Sequence, residues 1–233
     1  MAITRRKTIV SGRQVDGLTS YINAVFAHMS FGLFLTAFVA YFISTSPQLM
    51  YTIFSTPLRY IVLFAPILFV MFLSARIHML SKGAAMGLFY AYATSIGISS
   101  SLIFIVYSMP SIANAFLTTS VLFGVMSIYG YVTKTDLTNM GSFLMMGLFG
   151  LVISSIINWF MQSPGLAYAL SMIGSLIFVG LTAYDTQRIK NMYYMTDEDS
   201  RSKMAIFGAL ILYLDFINLF YMLLHLLGDR NKR

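Results

Sequence analysis

Two aspartates stand in stretches apolar enough to lie in a bilayer. Asp215 is embedded in Leu210-Ile211-Leu212-Tyr213-Leu214-Asp215-Phe216-Ile217-Asn218-Leu219-Phe220-Tyr221-Met222-Leu223-Leu224-His225, the last apolar stretch of the chain. Asp185 is the only other acidic residue within such a stretch. An ionisable group at that depth costs about 3 kcal/mol or more unless it faces a partner or a wet cavity. Helical steps of three and four put Ile211, Asp215, Asn218, Met222 and His225 on one face. The same steps put Ser171, Ser175, Thr182 and Asp185 on one face of the preceding stretch. Two polar stripes on consecutive helices are expected to face each other.

Such a carboxylate pair has a definite chemistry. Two like charges in a low dielectric do not both ionise easily, so the pair would hold a proton and titrate as a unit. Protonated, it can share a hydrogen bond and close a helix contact. Deprotonated, it repels itself or recruits a cation. That is a pH switch coupled to helix packing. The plainer alternative is a hydrogen-bonded structural pair that never titrates in use. Arg76, at the inner end of the second apolar stretch, could pair with one aspartate as a removable plug, or only snorkel to the headgroups. Arg188, three residues after Asp185, offers a local salt bridge or snorkels likewise. His78 and His225 titrate near neutrality, although isolated helical histidines, His28 included, more often pack or sit at the interface.

The elements that must position these groups follow from composition. Of 233 residues, 58% are hydrophobic and 10% charged, and the mean hydropathy is +0.77. That composition indicates a polytopic membrane protein. The formal charge of +7 fits cytoplasmic loop charge better than a nucleic-acid partner. Cysteine is absent from the sequence, so disulfides, thiolate metal sites and cysteine nucleophiles are excluded. Three histidines on separate segments leave little for a transition-metal site, and no cofactor is expected.

Spans are expected at about Ile22–Ser44, Leu58–Ala75, Ala84–Tyr107, Ile112–Val132, Ser142–Phe160, Leu166–Ile189 and Met204–Leu227, each long enough to cross. The fold class is all-α, a single seven-helix transmembrane domain with a cytoplasmic segment 1–21, a bundle 22–227 and a short basic tail 228–233. No removable signal peptide is read at the N-terminus. Pro66 lies inside the second span, where it should kink the helix and free a carbonyl. Lysines and arginines place the N-terminus in the cytoplasm. Arg5, Arg6, Lys7, Arg13, Arg76, Lys82, Lys134, Arg188, Lys190, Arg201 and Lys203 then share one side, against Arg59 and the tail residues Arg230, Lys232 and Arg233. The tail is the misfit: seven crossings put it outside, whereas a re-entrant last segment would return it inside. Asp197-Glu198-Asp199 reads as a solvated connector rather than a calcium loop, because the glycine turn and alternating ligands are missing. Gly83, Gly87, Thr94, Gly97 and Ser101, then Asn114, Thr118 and Gly124, then Gly147, Ser154 and Asn158 read as helix-packing positions.

Gly180-Leu181-Thr182-Ala183-Tyr184-Asp185-Thr186-Gln187-Arg188-Ile189-Lys190 and Leu212-Tyr213-Leu214-Asp215-Phe216-Ile217-Asn218-Leu219-Phe220 resemble the two signature segments of the Bax inhibitor-1 family, in its bacterial branch. The resemblance implies a last helix central among six others. It also implies a pH-sensitive calcium leak, with Asp185 and Asp215 as the paired aspartates and Arg76 as the arginine that locks the closed state. Eukaryotic relatives are linked to suppression of cell death and some bacterial ones to a membrane protease, so membrane-protein partners are implied beside the bilayer and calcium. The expected location is the bacterial inner membrane.

Calcium favours oxygen ligands, and Asp185, Asp215, Asn218, hydroxyls and water could form a weak site from which it escapes. An intramembrane aspartyl protease is the enzymatic alternative. Leu212-Tyr213-Leu214 stands where such proteases need glycines, and no Pro-Ala-Leu segment follows, so no enzyme is expected. A proton-coupled cation exchanger and a non-transporting regulator of other membrane proteins are the remaining alternatives.

Overall fold

The computed structural model describes the backbone of residues 2–229 and the side chains of 16–229 apart from His78. The helices are α1 (Ala2–Ser44), α2 (Pro47–Phe54), α3 (Leu58–Arg76), α4 (Lys82–Ser100), α5 (Ile103–Val106), α6 (Met109–Val132), α7 (Thr138–Met161), α8 (Pro164–Met195) and α9 (Glu198–Leu227), with a 3₁₀ turn at Ile77–Met79. Among the described residues all regular structure is helical. Seven helical segments are long and apolar enough to cross a membrane: Asp16–Ser44, Leu58–Arg76, Lys82–Val106, Met109–Val132, Thr138–Met161, Pro164–Met195 and Glu198–Leu227. The protein is an integral membrane protein with the expected seven spans.

Serine and proline set the helix starts. Ser46, Ser81, Ser108 and Ser163 each accept a hydrogen bond from a backbone N–H in the first turn of α2, α4, α6 and α8. Pro47, Pro110 and Pro164 follow in the first two helical positions, where a missing N–H costs nothing. At the start of α7 the Asp136 carboxylate accepts from the backbone N–H and the hydroxyl of Thr138, at 2.9 and 2.6 Å. These bonds hold its carboxyl below the usual range.

Several boundaries differ from expectation because hydropathy marks the apolar part of a helix rather than its ends. Helix α1 continues through the polar segment back to Ala2, α8 runs on to Met195, and α9 begins at Glu198. The acidic triplet is solvated as expected, with all three residues exposed, but it opens a helix rather than forming a connector. Asp197 is the N-cap of α9, and Glu198 and Asp199 fill its first turn, where negative charge complements the helix dipole. The third span breaks between α4 and α5. There the hydroxyls of Ser100 and Ser101 donate to the carbonyls of Ile96 and Ile98, at 2.6 and 2.7 Å, competing with the regular ladder.

Pro66 stays within a continuous α3, and the carbonyl it frees is that of Val62, four residues back. Ser99 of α4 donates its hydroxyl to that oxygen at 2.9 Å. Ser99→Ala should cost about 1 kcal/mol, read as a lower unfolding temperature in detergent.

Helix α9 is the centre of the bundle. Two thirds (67%) of its apolar window is buried inside the protein, against 11% for α3 and for α7. Helices α1, α4, α6 and α8 pack directly on α9, whereas α3 packs chiefly on α4 and α7 chiefly on α8. One apolar cluster gathers Val25, Phe89, Ala209, Tyr213 and Phe216 from α1, α4 and α9. A second joins Leu151, Phe178, Leu181, Leu219 and Leu223 from α7, α8 and α9. Of the small residues read as packing positions, Gly97 fits that role, since an added Cβ would lie 2.8 Å from the Thr36 carbonyl of α1. Gly83, Gly87 and Gly124 face open space instead, because helical spacing alone does not say which face meets a neighbour.

Candidate functional site

Asp185 lies about two thirds of the way along α8, and Asp215 in the middle of α9, the two helices that pack most extensively together. Both are buried, with 6% and 4% of their surface exposed. Helical periodicity in each sequence thus places the expected carboxylates in the buried parts of two helices that pack on each other.

Their surroundings are unequal. The Asp185 Oδ1 faces the Arg188 guanidinium, with Nη1 at 3.4 Å, and the Arg188 side chain is 51% exposed. A step of three residues along α8 lets the arginine reach back to the carboxylate while its head group stays at the surface. The Oδ2 of Asp215 is buried and no donor reaches it. A buried carboxylate oxygen without a donor is costly, and the groups that can satisfy it are a proton or a cation.

The rest of the polar stripe does not solvate the pair. The hydroxyls of Ser175, Thr182 and Thr186 donate to the carbonyls of Met172, Phe178 and Thr182 on their own helix. Asn218 likewise donates to the Leu214 carbonyl, at 2.8 Å, and lines a separate groove with Trp159 and Met222. His225 pairs with Ser171 at 2.9 Å through Nδ1, about three turns further along α9 than Asp215. His28 pairs through Nδ1 with the Tyr90 hydroxyl at 2.7 Å, a packing contact between α1 and α4. His78 lies in the turn that packs on α9, and its side chain is outside the described residues. So are the tail residues Arg230, Lys232 and Arg233 and the side chains of Arg5, Arg6, Lys7 and Arg13.

Arg76 departs from expectation. It ends α3 with its side chain exposed, and its Nη1 points to the Met79 sulfur at 3.7 Å rather than to either aspartate. Among the described residues, the cation that meets Asp185 is Arg188. A neighbour on the same helix is in reach at every conformation of the bundle, whereas Arg76 depends on where α3 docks.

Two further residues were not expected. Gln187 clasps the α6–α7 loop, accepting from the Leu137 N–H at 2.9 Å and donating to the Thr135 carbonyl at 2.8 Å. Lys190 donates to the Tyr131 carbonyl at 2.8 Å, a cation on the last turn of α6 where the dipole favours it. Both follow Asp185 closely along α8, so this end of the helix is fastened to the end of α6 and to the loop that leads to α7. A polar residue among charged neighbours gives no sequence signal for such a clasp. Gln187→Ala should cost about 1–2 kcal/mol, with faster hydrogen exchange at the Leu137 amide.

Among the described residues no three His, Asp or Glu side chains gather as a metal site. Two carboxylates are few for a resident calcium ion, which takes six to eight oxygens.

A family model described as inhibitor of apoptosis-promoting Bax1 matches residues 18–232. The chain belongs to the Bax inhibitor-1 family. It is 45% identical over 230 residues to the inner membrane protein YbhL of Escherichia coli, covering 97% of each chain. It is 41% identical over 216 residues to a Rickettsia prowazekii protein, covering 92% of each, and 38% identical over 228 residues to one from Caulobacter vibrioides. In this member of the family both signature segments lie at the α8–α9 interface, and each contributes one buried carboxylate.

Proposed function

We propose that this protein is a pH-sensitive calcium leak pathway of the bacterial inner membrane, with its N-terminus in the cytoplasm. It conducts passively and carries out no catalysis. One observation supports this reading above the others: the buried Asp185–Asp215 pair, in which one carboxylate is held by a half-exposed arginine and the other has an oxygen without a donor. The YbhL relative is named as an inner membrane protein, in keeping with the location.

The closed arrangement keeps Arg188 on Asp185. Proton uptake by the pair removes the charge that holds the arginine and frees its head group to move into water. Asp215, whose buried oxygen no donor reaches, holds a proton in the closed arrangement and exchanges it for a cation once that movement admits water along α9. Flux should therefore rise as pH falls. The expected shared hydrogen bond between protonated carboxyls is not needed for closure, because Gln187 and Lys190 hold that end of α8 in either protonation state.

Calcium uptake into proteoliposomes, measured across a pH series, tests the reading. Downhill flux that rises on acidification supports a leak. Transport against a calcium gradient, driven by a pH difference, would show a proton-coupled exchanger instead. Folded protein without flux at any pH would point to a regulator of other membrane proteins, a membrane protease among them. Arg188→Gln should raise flux at neutral pH up to about fivefold, since a half-exposed ion pair contributes up to about 1 kcal/mol.

A further inference from the structure

An open pocket of about 310 Å³, with several polar side chains on its wall, lies where α1, α8 and α9 meet beside the α8–α9 connection. Ser20 and Tyr21 of α1, Tyr193 of α8, and Glu198, Arg201 and Ser202 of α9 line it. Tyr21 is only 6% exposed, and its hydroxyl is buried without a hydrogen-bond partner. The Nε of Arg201 is also buried without a partner. The guanidinium carbon of Arg201 lies 4.3 Å over the Tyr193 ring, a cation–π contact that fixes the plane of the group.

What these two atoms lack is the same thing. A guanidinium N–H can only donate, and a tyrosine hydroxyl can donate. Buried donors without acceptors are costly, and here two from different helices belong to side chains that line one pocket, set just behind its wall beside a positive charge. The Ser20 and Ser202 hydroxyls add donors on the wall. An acceptor carrying negative charge satisfies all of them, and planar guanidinium groups suit phosphate oxygens in particular. The volume, roughly ten times the 30 Å³ share of a liquid water molecule, admits a phosphate group with bridging waters.

Depth narrows the choice. The apolar run of α9 begins at Met204 and that of α1 at Leu18, so the cavity lies where the apolar bundle gives way to the polar connection. Lipid phosphates occupy that level. Glu198 opposes an anion, but it is exposed at the rim and already complements the α9 dipole.

We propose that this cavity is a phosphate-binding site, filled by the phosphodiester of an anionic lipid headgroup or by free phosphate. The site is separate from the aspartate pair and does not depend on the leak reading.

The test uses the full chain in phosphatidylcholine nanodiscs, followed by unfolding temperature and native mass spectrometry. Phosphatidylglycerol is added in one arm and inorganic phosphate, at matched ionic strength, in the other. Stabilisation by phosphatidylglycerol alone identifies a headgroup site. Stabilisation by inorganic phosphate in phosphatidylcholine identifies a free-anion site. In either case Tyr21→Phe should weaken binding about fivefold and Arg201→Gln about tenfold or more. Arg201→Lys should retain part of it, and Arg59→Gln, far from the cavity in sequence at the start of α3, all of it. No stabilisation in either arm overturns the proposal, as does stabilisation that persists in both Tyr21→Phe and Arg201→Gln. Tyr21→Phe keeps the ring and its packing, so it decides the matter should Arg201→Gln fail to fold.

Discussion

Asp185→Asn is expected to open the pathway at neutral pH, and Asp215→Asn to lower flux at every pH. The two changes are the same chemically, and the difference lies in what each carboxylate meets. Asp185 is the partner of Arg188 at 3.4 Å. An asparagine there leaves a neutral group that no longer holds a guanidinium, which imitates the protonated state. Asp215 has a buried oxygen that no donor reaches, so it is the acceptor left for a passing cation. An asparagine there removes the charge that draws calcium in.

A single titrating group shifts a two-state equilibrium by up to about tenfold per pH unit. Wild type should approach that slope over its responsive range. Asp185→Asn should start near the acid level and stay flat, and the double variant should show neither flux nor slope. Calcium uptake in proteoliposomes, with flux at each pH normalised to folded protein, gives all four curves. A wild-type slope retained in the double variant would move the sensor to His78 or His225 and sink the assignment.

The second large effect separates two glycines on one helix. Gly130→Ala is expected to destabilise the protein by about 3 kcal/mol, whereas Gly124→Ala is expected to be neutral or stabilising by up to about 1 kcal/mol. A Cβ built at Gly130 collides with the backbone carbonyl of Ala183. Backbone cannot rotate aside as a side chain can, so α6 and α8 would have to separate. A Cβ at Gly124 meets nothing within 4 Å and simply gains helix propensity. Ala183 lies two residues before Asp185, so opening the α6–α8 contact should also disturb the aspartate pair. Thermal unfolding of both variants in the same detergent provides the comparison. Equal effects would show that helix propensity, and not the α6–α8 approach, governs both positions.

Much of this protein was legible in its sequence, for one physical reason. A bilayer demands about twenty apolar residues per crossing and internal satisfaction of backbone polar groups, and both demands leave local marks. The seven spans follow from hydropathy, and the all-α class follows with them. The burial of Asp185 and Asp215 follows from their setting, and their place on inward faces from a period of three to four residues on consecutive helices. The carbonyl freed by Pro66 follows from ring chemistry alone.

The tertiary structure decided which group answers each of these needs. Ser99 of α4 meets the Val62 carbonyl, and nothing in a serine's own neighbourhood announces it. Arg188 rather than Arg76 meets Asp185, because the i to i+3 geometry is present in any helix while the position of α3 depends on its packing. Gln187 and Lys190 fasten the end of α6 and the α6–α7 loop, and Gly130 rather than Gly124 takes the close approach. Each outcome depends on which helix faces which. Spacing along one chain fixes the face a residue shares with its neighbours in sequence, but only packing fixes what that face meets.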